Sequence, residues 1–374
     1  MASFFDNLRA SRLRAMFRRG ELGLVALAVV IGIAAGLLVS LIGALSTALH
    51  ILVFGVERLS SSDLSGRVVL LGPMIGGVIL GIILFILSRT RKKPMVDPIE
   101  ANALHGGRLS LTDSILVCVQ NIVSNGFGAS VGLEAGYTQI ASGVASKLGI
   151  KLKLRRGDMR ILVGCGAAGA IAAAFNAPLT GAFYAIELII GTYTVVTLAP
   201  LVVSALVATI VTSMIGGHGL TIDVFDTTQV TAPDYVPTII LGILCAVIGI
   251  GLLQAVSFIE ETARKSAIPG WLRPAIGGTA VGALALISPQ VLSSGHGALH
   301  INIDADLPLY ALVGLFLLKA AASAISIGSN FRGGLFFASL FMGALLGKIF
   351  AFCVPYIGYG SNPPIVYAVI GMSA

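Results

Sequence analysis

Five apolar runs, residues 22–52, 68–87, 195–215, 238–259 and 307–327, dominate the chain. Each reaches or exceeds the roughly 20 residues that cross the hydrocarbon core of a bilayer. In lipid every backbone N–H and C=O must find a partner within the chain, so segments of this kind span as helices. The reading is an all-α polytopic membrane protein. Composition agrees: of 374 residues 56% are hydrophobic and 11% charged, and mean hydropathy is +0.96. A soluble domain carries roughly a quarter charged residues, so this chain lacks the charge to cover a water-facing surface.

The net charge of +7 raises nucleic acid as a partner. The basic residues, however, gather in short loops between apolar runs, as the positive-inside rule requires, and no nucleic-acid partner is expected. The four cysteines, Cys118, Cys165, Cys245 and Cys353, stand singly in apolar sequence and match no metal or disulfide spacing. Neither a metal nor a cofactor is expected. The Arg-rich start does not read as a signal peptide, since the apolar run after it is too long and no small-residue cleavage site follows.

Basic residues also assign sides. Arg9, Arg12, Arg14, Arg18 and Arg19 place an arm, residues 1–20, in the cytoplasm. Arg89, Arg91, Lys92 and Lys93 return the chain there, as do Lys151, Lys153, Arg155, Arg156 and Arg160. The 218–234 segment holds three aspartates and no Lys or Arg and is read as external, and Arg264, Lys265 and Arg273 mark the inside again. A first half, 21–217, therefore enters from inside and a second, 235–374, from outside. That is an inverted-topology repeat, an architecture that places substrate at the midplane between discontinuous helices. GFGASVGLEAG has a counterpart in IGSNFRGGLFF at 327–337, and VGCGAAGA at 163–170 in IGMSA at 370–374. By that correspondence the second half stops early and is expected to lack its last helices.

The sequence NGFGASVGLEAG, 125–136, interrupts a segment that leaves and returns to the cytoplasmic side. It is expected to join two half-helices inside the membrane. Its one acid, Glu134, has no Lys or Arg beside it in sequence. A helix-start acid stabilised by the macrodipole is a common arrangement. Yet a carboxylate at mid-membrane depth is costly when charged, and the amides of a helix N-terminus also form an anion site. The functional reading is that Glu134 and a small anion compete for one place, among the amides of Gly132, Ala135 and Gly136. Two other motifs read differently. GCGAAG at 164–169 fits a dinucleotide fingerprint, but that needs a strand before it, and the small residues instead suit close helix packing. Ser130 in GASV could serve an intramembrane serine protease, which needs a histidine base in reach. Four of the five histidines fall in polar loops and only His50 near the end of a span.

These stretches resemble the CLC family of chloride channels and anion/proton antiporters, from about residue 22 onward. The strongest likeness is GCGAAGAIAAAFNAPLTGAFYAIE at 164–187. GASVGLEAGYTQ is similar to the family's G-R-E-G-P-x-x-Q motif, and SNFRGGLFFASLFMGALLG to its second glycine loop and helix. SSGHG at 293–297 and PIEANAL at 98–104 fall where the family has a glycine-rich turn and a short re-entrant helix. The resemblance implies a gating, protonatable glutamate at Glu134, and backbone amides of Leu335 and Phe336 on a central anion. It also implies transport of chloride, with or without protons, by a homodimer in a lipid bilayer. A bacterial inner membrane is expected.

The departures carry information too. Leu133, Ala135 and Gly136 replace the family's Arg, Gly and Pro around the glutamate, and Arg332 stands where a Pro or small residue is usual. Met95 falls at the family's anion-coordinating serine, and a thioether donates no hydrogen bond; fluoride-exporting members carry Met there, so fluoride is the alternative ion. Leu188 takes the place of the internal proton-accepting glutamate, with Glu187 just before it. Either this is a channel, or protons reach Glu134 by water or through Glu187.

Overall fold

The structure, a computed structural model, describes residues 21–374 apart from 58, 60–63, 92–93, 217–233 and 358–362. The N-terminal arm, Lys92, Lys93 and nearly all of the 218–234 loop lie outside the described residues. Among the described residues fourteen α-helices follow in order. They are α1 (Glu21–Phe54), α2 (Gly66–Thr90), α3 (Pro98–Leu104), α4 (Leu111–Gly126), α5 (Glu134–Leu152), α6 (Arg156–Phe175) and α7 (Pro178–Tyr184). After a π-helical turn at Ala185–Ile190 come α8 (Val195–Met214), α9 (Tyr235–Lys265), α10 (Arg273–Ala285), α11 (His296–Asp304), α12 (Leu309–Gly328), α13 (Phe336–Cys353) and α14 (Pro364–Ser373). Their only strand-like pairing among the described residues is a bridge between Gly132 and Gly334.

Seven of the helices are long and apolar enough to cross a membrane: α1, α2, α6, α8, α9, α12 and α13. Five of them coincide with the apolar runs of the sequence. The other two are α6, whose many Gly and Ala residues lower its hydropathy while letting neighbouring backbones approach, and α13, which is as apolar as α12. GCGAAG lies inside α6, which is buried along most of its length and ends where Asn176 turns left-handed at φ 53°. The region around NGFGASVGLEAG is indeed discontinuous: α4 stops at Gly126 and α5 begins at Glu134.

The chain folds into two compact units, interleaved in sequence. The first takes the described residues of 1–44, 93–119 and 134–221, the second those of 45–92, 120–133 and 222–374. In the first unit α6 is central, its Ala167, Ala168 and Ala172 sharing a core with Leu27 and Ile31 of α1, Ala182 of α7 and Leu201 of α8. In the second, α2 and α10 meet through glycines on both sides. A Cβ on Gly77 would strike the Pro274 carbonyl, and one on Gly278 the Pro73 carbonyl. The same device joins α13 and α14 through Gly343 and Gly371. In a bilayer, where lipid is as apolar as leucine, such backbone contact is a main source of helix association.

Candidate functional site

In the second unit the site is built on two glycine loops. The first begins at the end of α4, where Gln120, Asn121, Ser124 and Asn125 are all buried. Buried amides are as a rule hydrogen-bonded; Gln120 has no such partner among the described residues, whereas Asn121 and Asn125 spend their bonds on the loop. Asn125 Nδ2 donates to Val131 O at 2.7 Å, and its Oδ1 accepts from Ser46 Oγ at 2.7 Å. Asn121 Nδ2 donates to both Gly132 O, 2.9 Å, and Arg332 O, 3.0 Å. Arg332 N donates in turn to Ser124 Oγ at 3.1 Å. Between the loops Gly132 N donates to Gly334 O at 2.8 Å, and Gly334 N donates back to Gly132 O at 3.1 Å. Gly132 is thereby tied one residue from Leu335, the N-cap of α13, with Phe336 as that helix's first residue. A helix start is where amides lack intrahelical acceptors and where anions are favoured.

One face of α12 supports the first loop. Ser326 Oγ accepts from Ser130 N at 3.0 Å, and Ser323 Oγ and Ser130 Oγ lie 3.0 Å apart. The hydroxyl that a protease would need as nucleophile is thus paired with another serine. Four residues before Ser323, fully buried Lys319 donates from Nζ to Ser293 O, 2.8 Å, and Val291 O, 3.1 Å. Ser293 adopts a left-handed φ of 56° and its N–H donates to Gly128 O, 3.2 Å. A continuous chain of bonds therefore runs from Lys319 through the 291–293 turn into the loop that precedes Glu134. Sequence reasoning singled out neither Lys319 nor the α4 amides. The signal was there for Lys319, since an ionisable residue inside an apolar span is a functional hypothesis by default.

In the first unit Glu134 opens α5 and is 5% exposed. Thr138 Oγ1 donates back to Glu134 O at 2.9 Å. Gly136 is buried and Ala135 half-buried in the same turn. Five residues on, Gln139 Nε2 donates to Val96 O at 3.0 Å. This bond joins the helix of Glu134 to the segment that carries half-buried Met95. That segment leads into α3, which Asp97 caps by accepting from Glu100 N at 2.8 Å, with Pro98 at its first position. Two phenols, Tyr137 and Tyr184, lie within electrostatic reach of Glu134; neither was expected as part of the site. Glu187 sits exposed on the π-helical turn beside Leu188, which is 46% exposed. The turn is fastened by Asn102 Nδ2 to Ile189 O, 2.8 Å, and by an Arg160 guanidinium N–H to Ile190 O, 3.2 Å.

Within their own units, then, Met95 and Glu134 are brought onto connected elements, as are Gly132, Leu335 and Phe336. Chemically the first set offers a carboxylate at a helix start and no side-chain donor at Met95. The second offers backbone amides at a helix start. Among the described residues no cluster of His, Cys, Asp and Glu is arranged for a metal.

Comparison with known proteins gives concordant relatives. A family model described as voltage gated chloride channel matches residues 76–374. A ClcB-like protein of Ralstonia nicotianae is 34% identical over 312 residues, 82% of this chain and 72% of its own length. The voltage-gated ClC-type chloride channel ClcB of Shigella flexneri is 29% identical over 78% of this chain and 70% of its own. Two solved structures share the fold. A slow cyanobacterial Cl−/H+ antiporter superposes with a TM-score of 0.81 at 21% identity, covering 94% of this chain and 84% of its own. A CLC-type fluoride/proton antiporter does so at 0.77 and 20%, covering 94% and 85%. With the glycine loops, the buried helix-start acid and the helical architecture on which they stand, these matches make the chain a member of the voltage-gated chloride channel family, the CLC proteins of anion transport.

Proposed function

We propose that this transporter carries chloride across the membrane and that Glu134 is its gate. The observation that supports the reading is a buried carboxylate at the first residue of α5, preceded by a loop whose amides and carbonyls are held by Asn121, Asn125 and Gly334. Ionised, the carboxylate occupies the place that the helix start favours for negative charge. Protonated, it loses that attraction and yields the place to an anion. The central anion is assigned to the amides of Leu335 and Phe336; Gly132, Ala135 and Gly136 are assigned to anion binding as well, with Met95 as a non-donor. The halves 21–217 and 235–374 are assigned to an inverted repeat, two copies of the chain to a homodimer, and the whole to a bacterial inner membrane with a cytoplasmic N-terminus.

The test is anion flux in liposomes as a function of pH. Wild-type flux should rise as pH falls, because protonation frees the site. Glu134→Gln, which mimics the protonated side chain, should conduct at every pH with a flat profile. A Glu134→Gln profile that tracked the wild type would remove the gate assignment. A second reading, fluoride as the ion, is favoured by Met95. Without a hydroxyl at that position the anion has one side-chain donor fewer. Comparing fluoride, chloride, bromide and nitrate fluxes decides it.

A further inference from the structure

At one end of the first unit lies a cavity of about 580 Å³, far from any role in the reading above. Its lining comes from the end of α3, the 105–108 turn, the end of α5 and the start of α6. Four of the lining side chains, His105, Arg108, Lys153 and Arg156, are cationic or can become so, and none is a carboxylate. The rest of the wall is apolar, chiefly Leu104, Ile150, Leu154 and Met159.

The positive-inside rule accounts for basic residues on one side of a membrane. It does not account for their convergence on a cavity, nor for how the walls are fixed. Ser146 Oγ donates to Gly107 O and accepts from Leu109 N, both at 2.8 Å, and so clamps the 105–108 turn onto α5. Gly106 and Gly107 are left-handed in succession, φ 61° and 80°, and the Arg156 side chain rests against Gly106. Met159 fills the floor against Gly107 and Gly149. Lys153 is the most telling wall. It closes α5 with φ 55°, its N–H bonded to Ile150 O and that of Leu154 to Gly149 O. This is the capping geometry in which glycine is the usual residue. A lysine there accepts backbone strain, and strain kept at one position points to a use for its side chain.

We propose that this cavity is a phosphate-binding site, taking a phosphate oxyanion presented by an anionic phospholipid headgroup or by a soluble phosphate. A preformed pocket lined by cations of one sign raises the local concentration of such an anion. Basic pockets at the ends of membrane helices suit lipid headgroups, and α6, which lines this one, is among the membrane-spanning helices. The apolar wall can receive the glycerol and first methylenes of a lipid.

The test uses the full chain in nanodiscs of phosphatidylcholine. In one arm phosphatidylglycerol is added and the lipid retained by the protein is counted by native mass spectrometry. In the other, inorganic phosphate is titrated against the thermal unfolding midpoint with no anionic lipid present. Lys153→Gly removes a charge while relieving the backbone strain, and Arg108→Gln removes a second charge. Each should weaken binding about fivefold, and the pair about twenty-five-fold. Phosphatidylglycerol retained and lost in the variants identifies the lipid source. Stabilisation by phosphate in neutral discs, lost in the variants, identifies the soluble one. If neither probe binds the wild type, or both bind the double variant equally well, the site does not exist. Because Lys153→Gly suits the cap better than lysine, loss of binding without loss of thermal stability separates recognition from misfolding.

Discussion

At the scale of single residues the least expected group is Lys319. Its amine is fully buried and donates to two carbonyls of the 291–293 turn. Removing it leaves those carbonyls without a donor, at about 1–3 kcal/mol for each buried group. Lys319→Met keeps the apolar stem but not the bonds. The expected outcome is a loss of about 2–4 kcal/mol in a denaturation assay in detergent, together with slower anion flux, because Ser293 N–H holds Gly128 O in the loop before Glu134. Flux unchanged in a destabilised Lys319→Met would limit the residue to stability. Asn125 carries a comparable load, since its amide holds Val131 O while accepting from Ser46. Asn125→Ala should cost about 1–3 kcal/mol by the same reasoning. The measurable sign of a loosened loop would be a weaker pH dependence of flux.

At the scale of elements the close glycine contacts make the clearest prediction. Gly278 of α10 faces the Pro73 carbonyl of α2 so closely that a methyl group has no space. Gly278→Ala must push two backbones apart, and overpacking of this kind costs about 1–3 kcal/mol. Gly249, in the middle of α9, has open space where its Cβ would be. Gly249→Ala should therefore be neutral or stabilising, since alanine is the better helix former by about 1 kcal/mol. Thermal unfolding of the two variants side by side checks the contrast. The short helix α3 shows an element whose sequence signals all agree: an Asp cap, proline at its first position and a left-handed glycine pair beyond its end. Its bounds, Pro98–Leu104, are those of the stretch PIEANAL in which the family resemblance implies a short helix.

At the scale of the whole molecule the open quantity is coupling of anion to proton. Leu188 holds no proton, and Glu187 beside it is exposed on the π-helical turn. The expected outcome is weak or absent proton movement when a chloride gradient is imposed across proteoliposomes, read with a pH-sensitive dye. Robust uphill proton transport would contradict this; its loss in Glu187→Gln would then assign the proton to Glu187. Much of this molecule is legible in its sequence. Apolar length sufficed for five spans, because hydropathy is a local property that lipid reads directly. The glycine break and the acid within it were legible for the same reason, as exceptions inside an apolar background.

What the sequence determined by itself is therefore the membrane class, the discontinuous helices around NGFGASVGLEAG, the family resemblance and the candidate gate, all carried by residues close together in the chain. Only the tertiary structure decided how that gate's loop is held. Beside the short-range bonds of Asn121 and Asn125, it is held by bonds between residues 193 to 211 positions apart: Asn121 with Arg332, Ser124 with Arg332, Ser130 with Ser323 and Ser326. It likewise decided that Lys319 supports the loop rather than interrupting a span, and that His105, Arg108, Lys153 and Arg156 surround one cavity. For the loop and for Lys319 the physical reason is the same: buried polar groups are as a rule satisfied by whichever partner the fold brings to them, and that partner's place along the chain leaves no periodic or compositional trace. The four basic side chains of the cavity are exposed, and what gathers them is the packing of α3, α5 and α6, which the sequence of no one helix records.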